Sequence, residues 1–195
     1  MNFLAHFHLS PSDADAITGA YLGDFVRGRI DDLIDMPAVM REGVRLHRQI
    51  DAYTDNHPDW RRSVERLAPE RRRLGGIIVD VLYDHYLCRN WDKFSDRSLA
   101  AFAEFCYTSL LSRTQFMEQE PRRVVRRMRE HDWLNSYQTV DGIEFAFERM
   151  SKRAPVLAEI HLAKDDFRES YDEFETDFLS FYPQLMDFAK ESWQL

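Results

Sequence analysis

The sequence predicts an all-α fold, a single-domain helical bundle that spans residues 1–195. Apolar residues recur at spacings of three and four along most of the chain, which is the period of amphipathic helices. No Asn-Gly or Asp-Gly pair lies between two alternating runs, so hairpin signals are missing. Neither a linker nor an internal repeat divides the 195 residues, which are enough to bury one core.

Helix-breaking and helix-capping residues mark the limits of the first predicted helices. Residues 3–9 form a short helix that a serine-proline pair ends, and Ser12 or Asp13 caps a second helix that runs to about residue 27. Pro37 opens a third helix, which His57-Pro58 ends. The fourth predicted helix covers about residues 69–89.

The remaining helices follow from the same signals. Ser95 or Asp96 caps a fifth helix that reaches about residue 111. Pro121 is expected at the first position of a sixth, where its missing N–H costs nothing. Residues 140–152 form the next helix, and the last begins at Pro155 and bends or ends near Pro183.

Composition and charge exclude several classes of protein. A formal net charge of −8 disfavours a general nucleic-acid binder. No apolar run approaches the ~18 residues that span a bilayer, and the N-terminal segment lacks the basic region of a signal peptide. Cys88 and Cys106 are the only cysteines, so a cytoplasmic protein without disulfides is expected.

Polar residues fall on the apolar face of the third helix. His47 lies in a stripe with Val39, Gly43 and Ile50, and Asp51 projects from the same side one turn later. Burying an unpaired carboxylate costs several kcal/mol, so such a residue needs an arginine, several N–H donors or a metal.

The second and fourth helices show the same feature. Asp24 falls among apolar residues of the second helix. In the fourth, His85 lies within the buried stripe, Asp84 lies at its edge beside Ile77, and Asp80 stacks one turn below Asp84. The buried stripe is predicted to comprise Leu74, Ile77, Ile78, Val81 and Leu82.

Two interpretations fit these polar residues. Arg27, Arg48 or Arg89 would neutralise the carboxylates in an ordinary buried salt-bridge network. Alternatively, the carboxylates and imidazoles form a metal site, because Mn²⁺, Mg²⁺ and iron prefer such ligands. The metal site is favoured, and its candidates are Asp24, His47, Asp80, Asp84 and His85.

Ordered motifs at both ends of the chain carry a family resemblance. They are the opening Met-Asn-Phe-Leu-Ala-His-Phe-His-Leu and residues 23–28, 46–51, 54–58, 80–87, 132–134 and 181–183. The chain resembles the bacterial acyl carrier protein phosphodiesterases, or ACP hydrolases, over nearly its whole length. The resemblance implies an all-helical fold related to the HD-type metal-dependent phosphohydrolases. It also implies hydrolysis of the phosphodiester between 4′-phosphopantetheine and the serine of holo-acyl carrier protein.

The same resemblance implies a divalent metal, Mn²⁺ first and Mg²⁺ or Fe²⁺ as alternatives. Its implied ligands are His47, Asp84, His85 and Asp24. Asp80 or Asp51 would act as the general base or orient a metal-bound histidine. Arg27 and Arg48 would hold the phosphate oxygens, or else form structural salt bridges. His6 is expected in the core or beside a ligand.

A protein substrate of this kind needs a docking surface on this acidic chain. Acyl carrier proteins are acidic, so arginines that share a helix face are candidates, namely Arg62 with Arg66 and Arg122 with Arg126. Two other functions stay open at this stage. One is a metal phosphohydrolase acting on nucleotides or another small phosphate ester, and the other is a non-enzymatic helical binding module whose Asp and His residues form a polar core network.

Overall fold

The computed structural model describes residues 1–195 and contains eleven α-helices and no β-strand, which confirms the predicted all-α class. In chain order the helices are α1 (Phe3–His8), α2 (Ala14–Leu22), α3 (Ala38–Asn56), α4 (Pro58–Arg66), α5 (Gly75–Arg89), α6 (Leu99–Ser112), α7 (Gln119–Glu130), α8 (Trp133–Ser136), α9 (Val140–Ser151), α10 (Ala163–Glu169) and α11 (Tyr171–Ser192). Short 3₁₀ turns lie at Ile30–Asp32, Arg72–Leu74, Trp91–Lys93, Thr114–Phe116, Pro155–Leu157 and Ile160–Leu162. No helix combines the length and the apolar character needed to cross a bilayer.

Helix starts follow the capping residues, with two corrections. Asp13 caps α2 as predicted, because its side chain accepts the N–H groups of Asp15 and Ala16. Helix α6 begins later than predicted, since Ser98 caps it by accepting the N–H of Ala101. Pro121 is the third residue of α7 and not the first, because α7 begins at Gln119. A missing N–H costs little anywhere in the first turn.

Other boundaries also differ from the sequence prediction. Helix α2 ends at Leu22, so the segment expected to be helical up to residue 27 is a turn. Helix α4 was not predicted; His57 caps it and Pro58 is its first residue.

Two predicted helices begin later than expected. Helix α5 begins at Gly75 and not near residue 69, and the segment from Pro155 onward divides into two 3₁₀ turns, α10 and α11. Helix α11 does not end at Pro183 but continues to Ser192.

A single apolar cluster of 48 buried residues joins the helices from α1 to α11. Its largest side chains are aromatic, and Phe174, Phe178 and Phe181 on α11 are completely buried. The predicted stripe of α5 is buried except at Ile77, which is 39% exposed. Residues outside the stripe are buried too, so α5 contacts the core on most of its sides.

Helices α2 and α3 pack most closely, and glycines permit this approach. A Cβ on Gly19 would lie 2.1 Å from the carbonyl oxygen of Met40, and one on Gly43 would lie 2.6 Å from that of Ala16. One turn beyond this crossing, Gly23 faces His47 in the same way. The crossing therefore brings the imidazole of His47 against the end of α2.

Candidate metal centre

Three side chains from α1 and α3 converge at one point. His6, His47 and Asp51 each offer a ligand atom, and these atoms lie within 4.8 Å of one another. The two imidazole rings stack with centroids 3.8 Å apart and planes 13° from parallel. The Asp51 carboxylate joins them, with one oxygen 3.1 Å from Nε2 of His6 and the other 3.2 Å from Nε2 of His47.

Backbone contacts orient His47 within this cluster. His47 is 3% exposed, and its Nδ1 lies 2.7 Å from the carbonyl oxygen of Ala20 on α2. Donation from Nδ1 to that carbonyl leaves Nε2 to face Asp51, and Asp24 at 3.5 Å. A second ring nitrogen held by a carbonyl is the usual arrangement of a metal-binding histidine.

The ionisable groups of the cluster strongly affect one another's pKa values. Burial alone would lower the pKa of His47, but hydrogen bonds to Asp24 and Asp51 outweigh it and raise that pKa to about 9. Burial also opposes ionisation of Asp51, yet His47 and His6 hold its pKa well below the usual range. Burial and the neighbouring His47 lower the pKa of His6 to about 4. Without a metal, the cluster at neutral pH therefore holds the ionised Asp51 between a protonated His47 and a neutral His6.

Asp80 lies next to this cluster on α5. The amino group of Met1 is 3.1 Å from both Asp80 and Asp51, so one ammonium group joins the two carboxylates. The other oxygen of Asp80 accepts the indole N–H of Trp60 at 3.0 Å. Burial raises the pKa of Asp80, although the Met1 ammonium opposes the shift.

Asp84 supports α1. Its two oxygens accept the N–H groups of Leu4 and Ala5, at 2.9 and 3.0 Å, in the first turn of that helix. These N–H groups have no partner within the helix, and the positive end of the helix dipole favours a carboxylate there. Burial raises the pKa of Asp84 to about 7, against the effect of the two donors. Asp84 therefore fixes the helix that carries His6.

His85 faces away from the cluster. Its Nδ1 lies 2.8 Å from the carbonyl oxygen of Tyr137 and its Nε2 lies 2.7 Å from the hydroxyl of Tyr171. Consecutive residues of a helix point about 100° apart, so the residue after Asp84 meets a different set of neighbours. The structure thus brings Asp24, His47 and Asp51 together but not the adjacent pair Asp84-His85.

The two arginines expected to hold phosphate differ in their surroundings. Arg48 donates to the carbonyl oxygens of Val26 and Gly28, at 2.9 and 2.8 Å, and so holds the turn after Asp24. Gly28 has a φ of +88°, which favours glycine. Arg27 is exposed and lines a cavity of about 620 Å³ beside that turn.

The proposed docking arginines also divide into two groups. Arg62 and Arg66 both donate to Asp177, whose side chain is 1% exposed, at 2.6 and 2.7 Å. They neutralise a buried carboxylate and join α4 to α11. Arg122 and Arg126 are exposed on α7 and have no carboxylate within 4 Å, so they stay available for a partner.

The residues present fit a divalent metal. Nδ1 of His6 is buried and has no hydrogen-bond partner, so this ring has a free nitrogen. Two imidazoles with Asp51, and Asp24 close to His47, form the mixed nitrogen and oxygen set that suits Mn²⁺ or Fe²⁺. His6 joins this set beyond the ligands expected from sequence; the signal was a histidine within a short apolar helix.

Two buried histidines beside the partly exposed Asp51 make this all-α protein a candidate metallohydrolase. The chain belongs to the family described as acyl carrier protein phosphodiesterase, whose model matches residues 1–185. A relative from Escherichia coli O45:K1 named acyl carrier protein phosphodiesterase is 35% identical over 192 residues, which cover 97% of each chain. The protein of the same name from Klebsiella pneumoniae is 33% identical over 194 residues, or 97% of this chain and 98% of the relative. No solved structure matches this chain, and kinship to the HD-type phosphohydrolases stays a prediction.

Proposed function

We propose that this protein hydrolyses the phosphodiester linking 4′-phosphopantetheine to the serine of holo-acyl carrier protein, which yields apo-acyl carrier protein. The observation that carries the proposal is the whole-length match to relatives named for this activity. The convergence of His6, His47 and Asp51 supports it, because phosphodiester hydrolysis needs a site that neutralises phosphate charge.

The metal we propose is Mn²⁺, held by His6, His47 and Asp51 with Asp24 beside them. A bound divalent cation lowers the pKa of water and offsets the negative charge of the phosphate. Ala20 orients His47 through its carbonyl, and Asp84 holds α1 so that His6 faces Asp51. Asp84 and Arg48 thus position the centre, whereas His85 has no part in it.

The proton and phosphate contacts are assigned to residues at the rim of the cluster. Asp80 is only partly exposed and its pKa is raised, so it accepts the proton of the attacking water as a general base. Water adds to phosphorus, the bond from phosphorus to the serine oxygen breaks, and the serine oxygen takes up the proton that Asp80 accepted. Arg27, exposed three residues after Asp24, contacts the non-bridging oxygens. The buried free cysteines suit a reducing cytoplasm, which is where we place the reaction.

Mass spectrometry of holo-acyl carrier protein tests the proposed reaction directly. With Mn²⁺ present, we expect the carrier to lose the mass of the prosthetic group and 4′-phosphopantetheine to appear. The variant His47→Ala should lose turnover and bound metal while keeping its helical circular dichroism. Asp31→Asn is the control, because its side chain is 75% exposed and pairs only with Arg29. An unmodified carrier after prolonged incubation with the wild-type protein and Mn²⁺ would overturn the proposal.

A metal phosphohydrolase acting on nucleotides remains the competing function, but the family match does not favour it. Parallel incubation with nucleoside phosphates and cyclic nucleotides separates the two. We expect no turnover of either, and faster turnover of nucleotides than of the carrier would favour the competitor.

A further inference from the structure

A basic cavity of about 840 Å³ adjoins two segments that carry residues of the candidate metal centre. It is lined by Phe25, which directly follows Asp24, and by Phe3, which begins the helix that carries His6. The opposite wall comes from α7 and from the end of α9. Five cations outnumber two glutamates in the lining: they are Arg123, Arg127, Arg149, Lys152 and Arg153, against Glu120 and Glu130.

Three of these cations have no counter-charge. Arg127, Arg149 and Arg153 have no carboxylate within 4 Å, whereas Arg123 and Lys152 pair with glutamates on their own helices. Burial lowers the pKa of Arg149, and the charges of Arg153 and Arg127 lower it further. The arginines that stabilise the fold are paired instead, since Arg62, Arg66 and Arg71 each contact a buried carboxylate.

Trp133 supplies a second, independent observation. It lines the cavity and is 6% exposed, and Arg149 stacks on its ring 3.9 Å from the centroid. Its indole N–H is buried and donates to no atom of the protein. Buried donors are nearly always satisfied, so an acceptor from outside the chain is missing at this wall.

The basic surface extends along α7. Arg123 and Arg127 line the 840 Å³ cavity and also an adjoining depression of about 540 Å³ that Arg122 and Arg126 share. The whole chain carries a net charge of −8, so an acidic partner is repelled over most of its surface. This surface offers such a partner a local area of opposite charge.

We propose that the basic cavity docks an acidic segment of the protein substrate, whose carboxylates contact Arg127, Arg149 and Arg153 and accept the N–H of Trp133. This proposal rests on the proposed function, because it takes the substrate to be a protein. In this proposal the α7–α9 wall contacts the partner. Arg62 and Arg66 take no part in docking, because both are paired with Asp177.

The decisive variant is the double reversal Arg127→Glu/Arg153→Glu. We expect KM for holo-acyl carrier protein to rise about tenfold or more, with little change in kcat, because several charge pairs act together. Turnover of the small diester bis(4-nitrophenyl) phosphate should be unchanged. Trp133→Phe, which removes the unpaired N–H together with one ring of the buried indole, should raise the same KM severalfold.

The matched control is Arg73→Glu/Lys190→Glu, which changes the net charge equally at exposed positions away from the cavity. An equal effect of both double variants on KM would overturn the proposal. A raised KM for the small diester in Arg127→Glu/Arg153→Glu would also overturn it, because the cavity would then bind the reacting phosphate itself.

Binding of apo-acyl carrier protein, followed by fluorescence anisotropy, needs no turnover. We expect the wild-type chain and the control to bind it and Arg127→Glu/Arg153→Glu to bind at least tenfold more weakly. Selective loss of this binding supports the docking surface even if hydrolysis fails, so the two proposals fail separately. Equal binding by all three proteins overturns the docking surface alone.

Discussion

Replacing Gly23 by alanine tests the packing that holds His47 in the metal centre. A Cβ at this position would lie 2.2 Å from Cγ of the His47 ring and 2.4 Å from Cδ2. Gly23 has φ −51° and ψ −36°, which alanine adopts without strain, so the conflict is purely steric. To reach an ordinary contact of 3.4 Å, the ring must withdraw by about 1.2 Å.

A displacement of that size dismantles the local geometry. The 2.7 Å contact to the carbonyl of Ala20 and the 3.2 Å contact to Asp51 both lengthen beyond hydrogen-bonding range. Overpacking costs about 1–3 kcal/mol of stability, which corresponds to a fall in Tm of about 2–12 °C for a chain of this size. A misplacement near 1 Å at a reacting centre costs about 100-fold in rate.

We therefore expect Gly23→Ala to lower kcat/KM for holo-acyl carrier protein at least about 100-fold while the protein stays folded. The assay follows apo-carrier formation by mass spectrometry, with Tm from circular dichroism. Gly76→Ala is the control, because its Cβ would meet Trp60 at an ordinary 3.7 Å. It should keep full activity. Wild-type activity and metal content in Gly23→Ala would refute the argument.

Three further predictions concern stability. Asp84→Ala should lower the free energy of unfolding in urea by about 2–4 kcal/mol, because two buried N–H groups of α1 lose their acceptor. Asp84→Asn should lower it by about half as much. Equal stability of both variants and the wild-type protein would contradict this role. Asp177→Ala should cost about 3 kcal/mol by uncovering two arginines, whereas Arg62→Ala, at a half-exposed position, should cost under about 1 kcal/mol. In metal-free protein the raised pKa of His47, about 9 against 6.5 unfolded, gives stability that is complete below pH 6.5 and is lost as the pH rises through 9. The free energies of unfolding from urea titrations at pH 6 and 9.5 in a chelator should differ by about 2–3 kcal/mol, and His47→Gln should remove most of the difference.

Local signals in the sequence were sufficient for the helical class and for one half of the site. His47 and Asp51 are four residues apart within one uninterrupted helix, so their shared face follows from the helical period alone. The cap at Asp13 is local for the same reason. Asp24 lies 3.5 Å from His47, although α2 ends before it and leaves its side chain 50% exposed.

The contacts of other residues could not be predicted from helical periodicity. His85 belongs to the apolar stripe of α5, but a stripe does not say which neighbour each of its residues meets, and Tyr137 and Tyr171 meet this one. Arg62 and Arg66 resemble a solvated basic face until α11 presents Asp177 to them, more than 110 residues away in sequence.

The sequence by itself determined the helical class, the family and the pairing of His47 with Asp51, because each depends on local order or on the succession of motifs. Only the tertiary structure decided that His6 joins the cluster and that the Asp84 carboxylate accepts N–H groups of α1. Helical period sets the angle between residues of one helix, but the contacts between helices depend on how their surfaces pack. In this protein that packing depends on the close crossing of α2 and α3, where glycines allow the backbones to approach and bring His47 against the end of α2.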